Sequence, residues 1–517
     1  IDELGVPEGI REVVGRRLDR LGEDTEAVLR AAAVIGYEFD IALLARVVDR
    51  SEDDVLDALD LAAASGLAQE VGVDRFRFAH ALVRETLHGE LSSTRRARQH
   101  RKVAQALEDL HGAQLSDVVA ELAVHWREAT VGGDPTRAVE LTVEAGAQAM
   151  DRGAPENAVG WFEGALEMME DHEELNAQQP AVMVQLARAQ LLSGDQQGRD
   201  TALEAARLAL VGDEPPTVHD ALLVSSRASF DDQQPEDPAK VAVLREALAR
   251  PDRFEPLHRA QLYLTLATEL IFVRDEQARN EAIEEAERVR PDLSVSERGQ
   301  LQAQLLNRGW ALDRESVDAG IHDVEEMLAI ETDPFLRFHG WQAIGWWALS
   351  QGDRDRTDEV LGQLRSMQDQ ARHFLQWSFV LGIESMIAVV DGRLDDAEEL
   401  ADQMVAFLRD LNQPEYSTYR ATTTTAIGRE RGNLLDGYDF IERAALDTPP
   451  DSGANALLAY ANLVRGETEV AVAMLEAVDV ETIPQNAAFP WTIAFFGEVA
   501  AAAGSDEICT RLLGSLA

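Results

Sequence analysis

Small and apolar residues recur along this chain at fixed distances from a glycine, and those distances describe two helices joined by a tight turn. Gly146 stands seven residues before Gly153, and Ala158, Phe162 and Ala165 follow it by five, nine and twelve. The same frame surrounds Gly194 (Ala187, Leu203, Ala206), Gly352 (Gly345, Leu361, Leu364) and Gly392 (Ser385, Ala397, Ala401, Met404). It returns at Gly432 (Thr425, Gly437, Ile441, Ala444), Gly466 (Ala459, Ala471, Leu475, Val478) and Gly504 (Gly497, Leu513, Leu516). Arg274 holds the glycine's place in one further copy, with Ala267, Ile283 and Ala286 around it. The small residue before the turn lets the second helix cross closely. Glycine ends the first helix because it accepts the left-handed cap that other residues resist. The later positions form the buried stripe of the second helix.

This frame resembles the tetratricopeptide repeat, a helix–turn–helix unit that buries its apolar face only by stacking on its neighbours. Two gaps in the series, near 234 and 315, hold degenerate copies: Ala239 and Val243 in one, Gly320, Val324 and Met327 in the other. About ten helical pairs are therefore expected over residues 136–517. Most spacings exceed the consensus of about 34 residues, so longer helices are expected. The alternative is an irregular helical bundle.

Before the repeats the pattern changes. A helix from about Glu8 carries Ile10, Val13, Val14, Leu18 and Leu21 on one face, and a second runs from Thr25 through Ala32. After Ile41–Val48 a helix starts at Ser51, with acids in its first turn. Leu67–Val71, a turn at Gly72–Asp74 and Arg75–Phe78 then read as two short strands. Three helices followed by two strands around a tight turn describe a winged helix. The expected organisation is a winged helix at 1–92, a helical connector at 93–135 and the superhelix at 136–517; the fold class is all-α, an α-solenoid behind a small winged-helix domain.

A winged helix suggests DNA, but the charge opposes it. Residues 1–92 hold ten arginines and no lysine against twenty acids, and the helix from Ser51 to Ala64 carries five acids and no base. DNA reading needs the opposite sign. The one basic cluster, Arg95, Arg96, Arg98, Arg101 and Lys102, is expected to be a helix face paired with nearby acids.

Phe76–Glu85, then Arg95-Arg96, His100 and Val103–Glu108, resemble the region behind the nucleotide-binding module of bacterial STAND ATPases, among them MalT-like, LuxR-type regulators. Leu122–Trp126 and Asp134–Glu140 match the segment that leads into the repeats of such proteins. The resemblance implies the middle and C-terminal part of a signal-transduction ATPase: an inducer or partner binds the superhelix and biases a closed, ADP-held state towards an open, oligomerising one. Ala79–Arg84 also looks like the Met-His-Asp segment of related switches, which would give His80 a nucleotide-sensing role. Here Ala79 and Ala81 replace the flanking residues, and a locally satisfied helix-start histidine is the competing reading. Any ATP or ADP would belong to a missing upstream module, so no cofactor is expected in this chain. The effector is expected to be a LuxR-type DNA-binding domain; the alternatives are a constitutive scaffold docking a peptide, or the regulatory segment of a nucleotide cyclase.

Composition narrows the chemistry. The formal charge is −47 from 94 acids and 47 bases, so nucleic acid and anionic membranes are poor partners. The acidity either attracts a basic partner or is a solvated surface. A single cysteine, Cys509, suits a reducing cytoplasm and sits in a small-residue slot of a repeat. No apolar run is long enough to span a membrane. The only lysines, Lys102 and Lys240, follow Arg101 and Ala239, so no P-loop exists. With no nucleophile elbow and no metal-ligand spacing, no catalytic residue and no metal site is assigned. The chain starts without methionine and stops inside a repeat, and is expected to be part of a larger protein.

A ligand would meet the inner wall, lined by the first helix of each pair. There the frame brings forward His339, Gln342 and Trp346 in one pair, Phe379, Gly382 and Met386 in the next, and Tyr419 in a third. Aromatic anchors with a few polar neighbours make pockets and peptide grooves. The alternative is that Trp341, Trp346, Trp347 and Trp377 serve interhelical packing. The expected occupant is a protein or peptide partner or a small-molecule inducer, with ligand-dependent self-association.

Overall fold

The computed structural model describes residues 14–18, 20–112, 114–130, 135–170, 172–226, 237–273, 275–307, 314–367, 377–410, 416–446, 448–480, 483 and 489–514. The chain forms two compact units, Ile1–Leu186 and Ala187–Ala517.

The first unit opens with α1 (Glu23–Ile35), β1 (Glu38–Asp40), α2 (Ile41–Val48), α3 (Glu52–Ala64), β2 (Ala68–Gly72) and β3 (Arg75–Phe78). Asp40 caps α2 by accepting from the Ala42 N–H at 2.8 Å, and Ser51 caps α3 by accepting from Asp54 at 3.2 Å. The three strands form one antiparallel sheet in the order β1-β3-β2. β1 was not expected from the sequence: three residues are too few for an alternation to register. Its anchor is Phe39, whose ring lies 5.4 Å from that of Phe78. The helix expected from Glu8 lies outside the described residues before Val14; Val14 and Leu18 are buried.

Next come α4 (Ala81–Gly89), α5 (Ser93–His111), α6 (Val119–Ala129), α7 (Thr136–Asp151) and α8 (Pro155–Glu170). One set of mutually packed buried side chains runs from Val14 to Ala145, so the sheet, α1–α6 and the start of the repeats share a core. α7 and α8 are the first repeat pair, and they show why the frame needs a small residue. A Cβ on Gly146 would fall 2.6 Å from Phe162 Cε1 and 2.8 Å from Cζ, and Phe162 is fully buried. Gly146→Ala is expected to lower stability by about 1–3 kcal/mol through overpacking, seen as a fall in the thermal midpoint. A midpoint equal to the parent's would show that α7 and α8 can separate freely.

Further helix pairs follow along the chain. They are α9 (Gln179–Leu192) with α10 (Gly198–Gly212), α11 (Pro215–Val224) with α12 (Pro238–Leu248), and α13 (Pro256–Val273) with α14 (Glu276–Val289). Then follow α15 (Val295–Asn307) with α16 (Arg314–Ile330), α17 (Pro334–Ser350) with α18 (Arg354–Ser366), and α19 (Trp377–Val390) with α20 (Leu394–Asp410). The last are α21 (Tyr416–Arg431) with α22 (Tyr438–Ala445), α23 (Gly453–Arg465) with α24 (Thr468–Glu476), and α25 (Phe489–Ala502) with α26 (Asp506–Gly514). First helices pack on first helices: α11 on α13, α15 on α17, α19 on α21 and α23 on α25. The fold is an all-α helical-repeat solenoid with one small sheet at its start.

The turns carry the repeat. All seven glycines of the frame have φ between +66° and +88°. At Gly466 the N–H reaches the Leu463 carbonyl at 3.0 Å and that of Glu467 reaches Asn462 at 2.9 Å, the paired bonds of a Schellman cap. Arg274 lies outside the described residues, but Asp275 makes the corresponding long bond to Leu270 at 3.3 Å.

The stripe is buried at most positions the frame named, and four corrections follow. Lys240 is buried in place of Ala239, because an ion pair draws the lysine inward. Ala445, and not Ala444, is the buried alanine of α22, which starts late behind a one-turn 3₁₀ helix at Leu434–Gly437. In α26 Leu512 is buried while Leu513 is 67% exposed; Leu516 lies outside the described residues. Cys509 is half-buried against the last core.

Candidate functional site

α17 begins at Pro334 because Asp333 caps it, the carboxylate accepting from the Leu336 N–H at 2.9 Å. Proline costs nothing in that first turn, where its missing N–H has no helical partner. From there Phe335, His339, Gln342 and Trp346 fall on one face of the helix. The rings of Phe335 and His339 meet edge to face at 4.4 Å. Trp346 reaches α19, where its ring centre lies 4.7 Å from that of Phe379. Gly345 serves the close approach of α18, since a Cβ there would sit 3.2 Å from Val360 Cγ1; towards Phe379 Cε1, at 3.7 Å, it would make an ordinary contact.

Phe379, Gly382 and Met386 continue the line on α19. Met386 is 49% exposed and Phe335 43% exposed, so the stripe has open ends around half-buried rings. Tyr419 belongs to α21, but its side chain lies outside the described residues. The tryptophans divide. Trp377 is in the core, Trp341 and Trp347 pack against it, and Trp347 donates its indole N–H to Asp318 at 3.3 Å. Trp346 is turned to Phe379 instead.

Two buried amide oxygens in this region lack a donor among the described residues. Gln342 is only 8% exposed, and its Oε1 accepts no hydrogen bond among the described residues. Asn307, at the end of α15, donates from Nδ2 to the His339 carbonyl at 3.0 Å, yet its own Oδ1 accepts none. Burial holds His339 down to about 4, so its imidazole is neutral at pH 7. Nearby arginines are engaged elsewhere. Arg337 donates to the carbonyls of Leu328 and Glu331 at 2.9 Å, Arg356 pairs with Glu325 at 2.5 Å and Arg365 with Glu384 at 2.5 Å. Phe335 was legible in retrospect, one turn before His339; Asn307 was not, because only the packing of α15 on α17 brings it there.

His80 sits at the N-cap of α4 with φ −145° and ψ 143°, exposed, its side chain making no capping bond. Its neighbourhood holds a different histidine feature. His100 of α5 and His125 of α6, both buried, share an Nδ1···Nδ1 hydrogen bond of 2.8 Å. The basic cluster on α5 departs from expectation: its five side chains make no ion pair with an acid among the described residues, and Arg101 donates to the Ala129 carbonyl at 3.2 Å. Glu90 pairs with Arg30 and Glu108 with Arg137. A separate cavity of about 470 Å³ lies among α12, α13 and α14, lined by Arg245, Tyr263, Leu266, Leu270, Glu281 and Arg288 among others. Among the described residues no group of three or more His, Cys, Asp or Glu side chains could hold a metal. No helix among them is long and apolar enough to cross a membrane.

No protein-family model matches the chain. No curated protein matches it either. Among solved structures it is similar to a signal-transduction ATPase with numerous domains (STAND) from Pyrococcus horikoshii that has a tetratricopeptide-repeat sensor, with 11% identity and a TM-score of 0.37. That match covers 96% of this chain and 66% of the archaeal one, so this chain spans just under two thirds of that protein. It is also similar to yeast Tom70, with 14% identity, a TM-score of 0.30 and coverage of 80% and 99%. A third similarity is to a circular tandem repeat protein, at 13% identity and a TM-score of 0.17.

Proposed function

We propose that this chain is the sensing and partner-binding part of a signal-transduction ATPase of the STAND type, acting in the cytoplasm and catalysing nothing itself. Its start, with the order helix, strand, helix, helix, strand, strand, serves as a winged helix that links to a nucleotide-binding module carried elsewhere in the full protein, with His80 exposed towards it. The repeats bind the signal. The observation that supports this most directly is the stripe from Phe335 to Met386, whose two ends are over 40% exposed and beside which Gln342 Oε1 and Asn307 Oδ1 accept no hydrogen bond among the described residues. Binding moves such a switch only if the ligand prefers one of its states. Transcriptional control through a LuxR-type domain is the favoured output, with self-association in the bound state. The five unpaired bases on α5 leave the acidic winged helix no better suited to DNA, since they lie outside its third helix.

The test is a thermal-shift screen of the chain against metabolites, sugars, nucleotides and a short-peptide library. A ligand at a hundredfold excess over its dissociation constant is expected to stabilise the folded state by about 2.7 kcal/mol. Trp346→Ala is expected to abolish the shift. Hits that survive Trp346→Ala, or no hit at all, would remove the stripe from this role.

A further inference from the structure

On so acidic a chain a base readily finds a carboxylate, and arginines along the repeats do: Arg354 pairs with Asp391, Arg356 with Glu325 and Arg431 with Glu398. α5 departs from this. Arg95, Arg98, Arg101 and Lys102 are exposed, and none of them makes an ion pair among the described residues. No acid occurs between Leu91 and Leu107 to supply one. Arg95, Arg98 and Lys102 follow at steps of three and four, which sets them in one row on the helix. At 1.5 Å per residue that row is about 10 Å long.

α3 carries the counterpart. Its acids Glu52, Asp53, Asp54, Asp57 and Asp60 are all exposed, the helix has no base, and no ion pair reaches it among the described residues. Asp53, Asp57 and Asp60 form a row of the same length. Two leucines stand open on that face, Leu56 39% and Leu61 53% exposed. Leucines among carboxylates suit arginine and lysine, whose heads pair with the acids while their methylene stems lie on the apolar groups.

Length separates the partners such a basic row could take. A nucleic-acid duplex or an anionic membrane carries its charge far beyond about 10 Å and would meet the rest of a surface whose formal charge is −47. A second copy of the chain offers a row that matches in length and sign. Its net charge is also negative, but salt screens distant charges over about 8 Å at physiological ionic strength, and facing side chains stand closer than that. Resting on the self-association in the proposed function, we infer that α5 of one copy docks on α3 of a second copy. Arg95, Arg98 and Lys102 then face Asp53, Asp57 and Asp60, with their stems over Leu56 and Leu61. Every copy carries both halves, so the contact closes a dimer or extends to a further copy.

The experiment is sedimentation velocity of the full chain over a concentration series, in about 0.15 M salt and again in about 1 M, where the screening length falls to about 3 Å. The parent is expected to associate in the first and to weaken at least tenfold in the second. Arg98→Glu with Lys102→Glu, and separately Asp57→Arg with Asp60→Arg, are each expected to weaken association at least tenfold. The thermal midpoint should hold in both, since all four side chains are exposed. The second pair of changes makes the chain less negative, so general repulsion cannot explain its loss. Mixing the two reversed variants is expected to restore association, because each offers the other the opposite sign at both helices. A folding defect would not be repaired by mixing. A parent that stays monomeric, a reversed variant that associates like the parent, or a mixture that stays apart would overturn the contact. So would a labelled single-stranded oligonucleotide that binds the parent and not Arg98→Glu with Lys102→Glu, which would give the row to nucleic acid. The thermal-shift screen reads the ligand face alone, so failure there and failure here are told apart.

Discussion

Glu269→Leu is expected to destabilise the second unit by about 3–5 kcal/mol, and Lys240→Met by a similar amount, because each leaves a single charge stranded in the interior. The pair is as buried as the fold allows: both side chains are 1% exposed, and Lys240 Nζ lies 2.6 Å from Glu269. Nζ also donates to the Ser225 carbonyl at 2.8 Å. One side chain on α12 thus ties the end of α11 to the C-terminal part of α13, at the point where the repeat frame loses its glycine and small-residue signals. Apolar replacement of both partners is another matter. Lys240→Met with Glu269→Leu removes both desolvation costs together and is expected to return stability to near the parent or above it. Urea unfolding of the parent, the two single variants and the double variant measures the coupling. Single variants costing under about 1 kcal/mol would mean that water reaches the pair.

The second large effect is expected in the first unit as the pH falls. Burial, followed by the proximity of His125, His88 and the Arg96 and Arg84 guanidinium groups, lowers His100 from 6.5 to about 3. Burial and then Arg84 lower His125 to about 4. His88, whose ring is edge-on to His100 at 6.0 Å, is lowered by burial and then by Arg84 and Arg96, with Glu128 opposing. The sign follows from which state binds protons. Below pH 6.5 the unfolded chain takes up protons that the folded unit refuses, so stability is full above 6.5 and drains away as the pH drops towards 4. The slope is on the order of 1.4 kcal/mol per pH unit for each histidine. Between pH 7.5 and 5.5, where carboxylates stay ionised, the protection factors of amides in α5 and α6, corrected for the slower intrinsic exchange at lower pH, are expected to fall. His100→Leu with His125→Leu should flatten that response, and an unchanged slope in the double variant would assign it elsewhere.

These two sites mark where sequence reasoning ran out. In the sequence Lys240 stands out only as a lysine that no P-loop can use, and the repeat frame gives the buried position to its neighbour Ala239. A lysine reads as exposed until a carboxylate is known to face it, and Glu269 lies 29 residues away on another helix. Nothing in the sequence joins His100 to His125. Their hydrogen bond exists because α5 and α6 lie antiparallel, which spacing along the chain does not report.

The sequence alone determined the parts that depend on local rules: where the turns fall, which residues cap them and which face of each second helix turns inward. Glycine at a left-handed cap and small or apolar residues at helical spacing act within about fifteen residues, so their pattern survives in one dimension. The same rules brought His339, Gln342, Trp346 and Phe379 onto one strip, because neighbouring first helices repeat the same face. Tertiary structure decided what depends on groups far apart in the chain. It added β1, which pairs only once β3 is beside it, and joined the first elements into one core from Val14 to Ala145. It also set Asn307 next to His339 and brought Trp346 against Phe379. Burial of a polar group is a property of its whole surroundings, and only the folded chain supplies them.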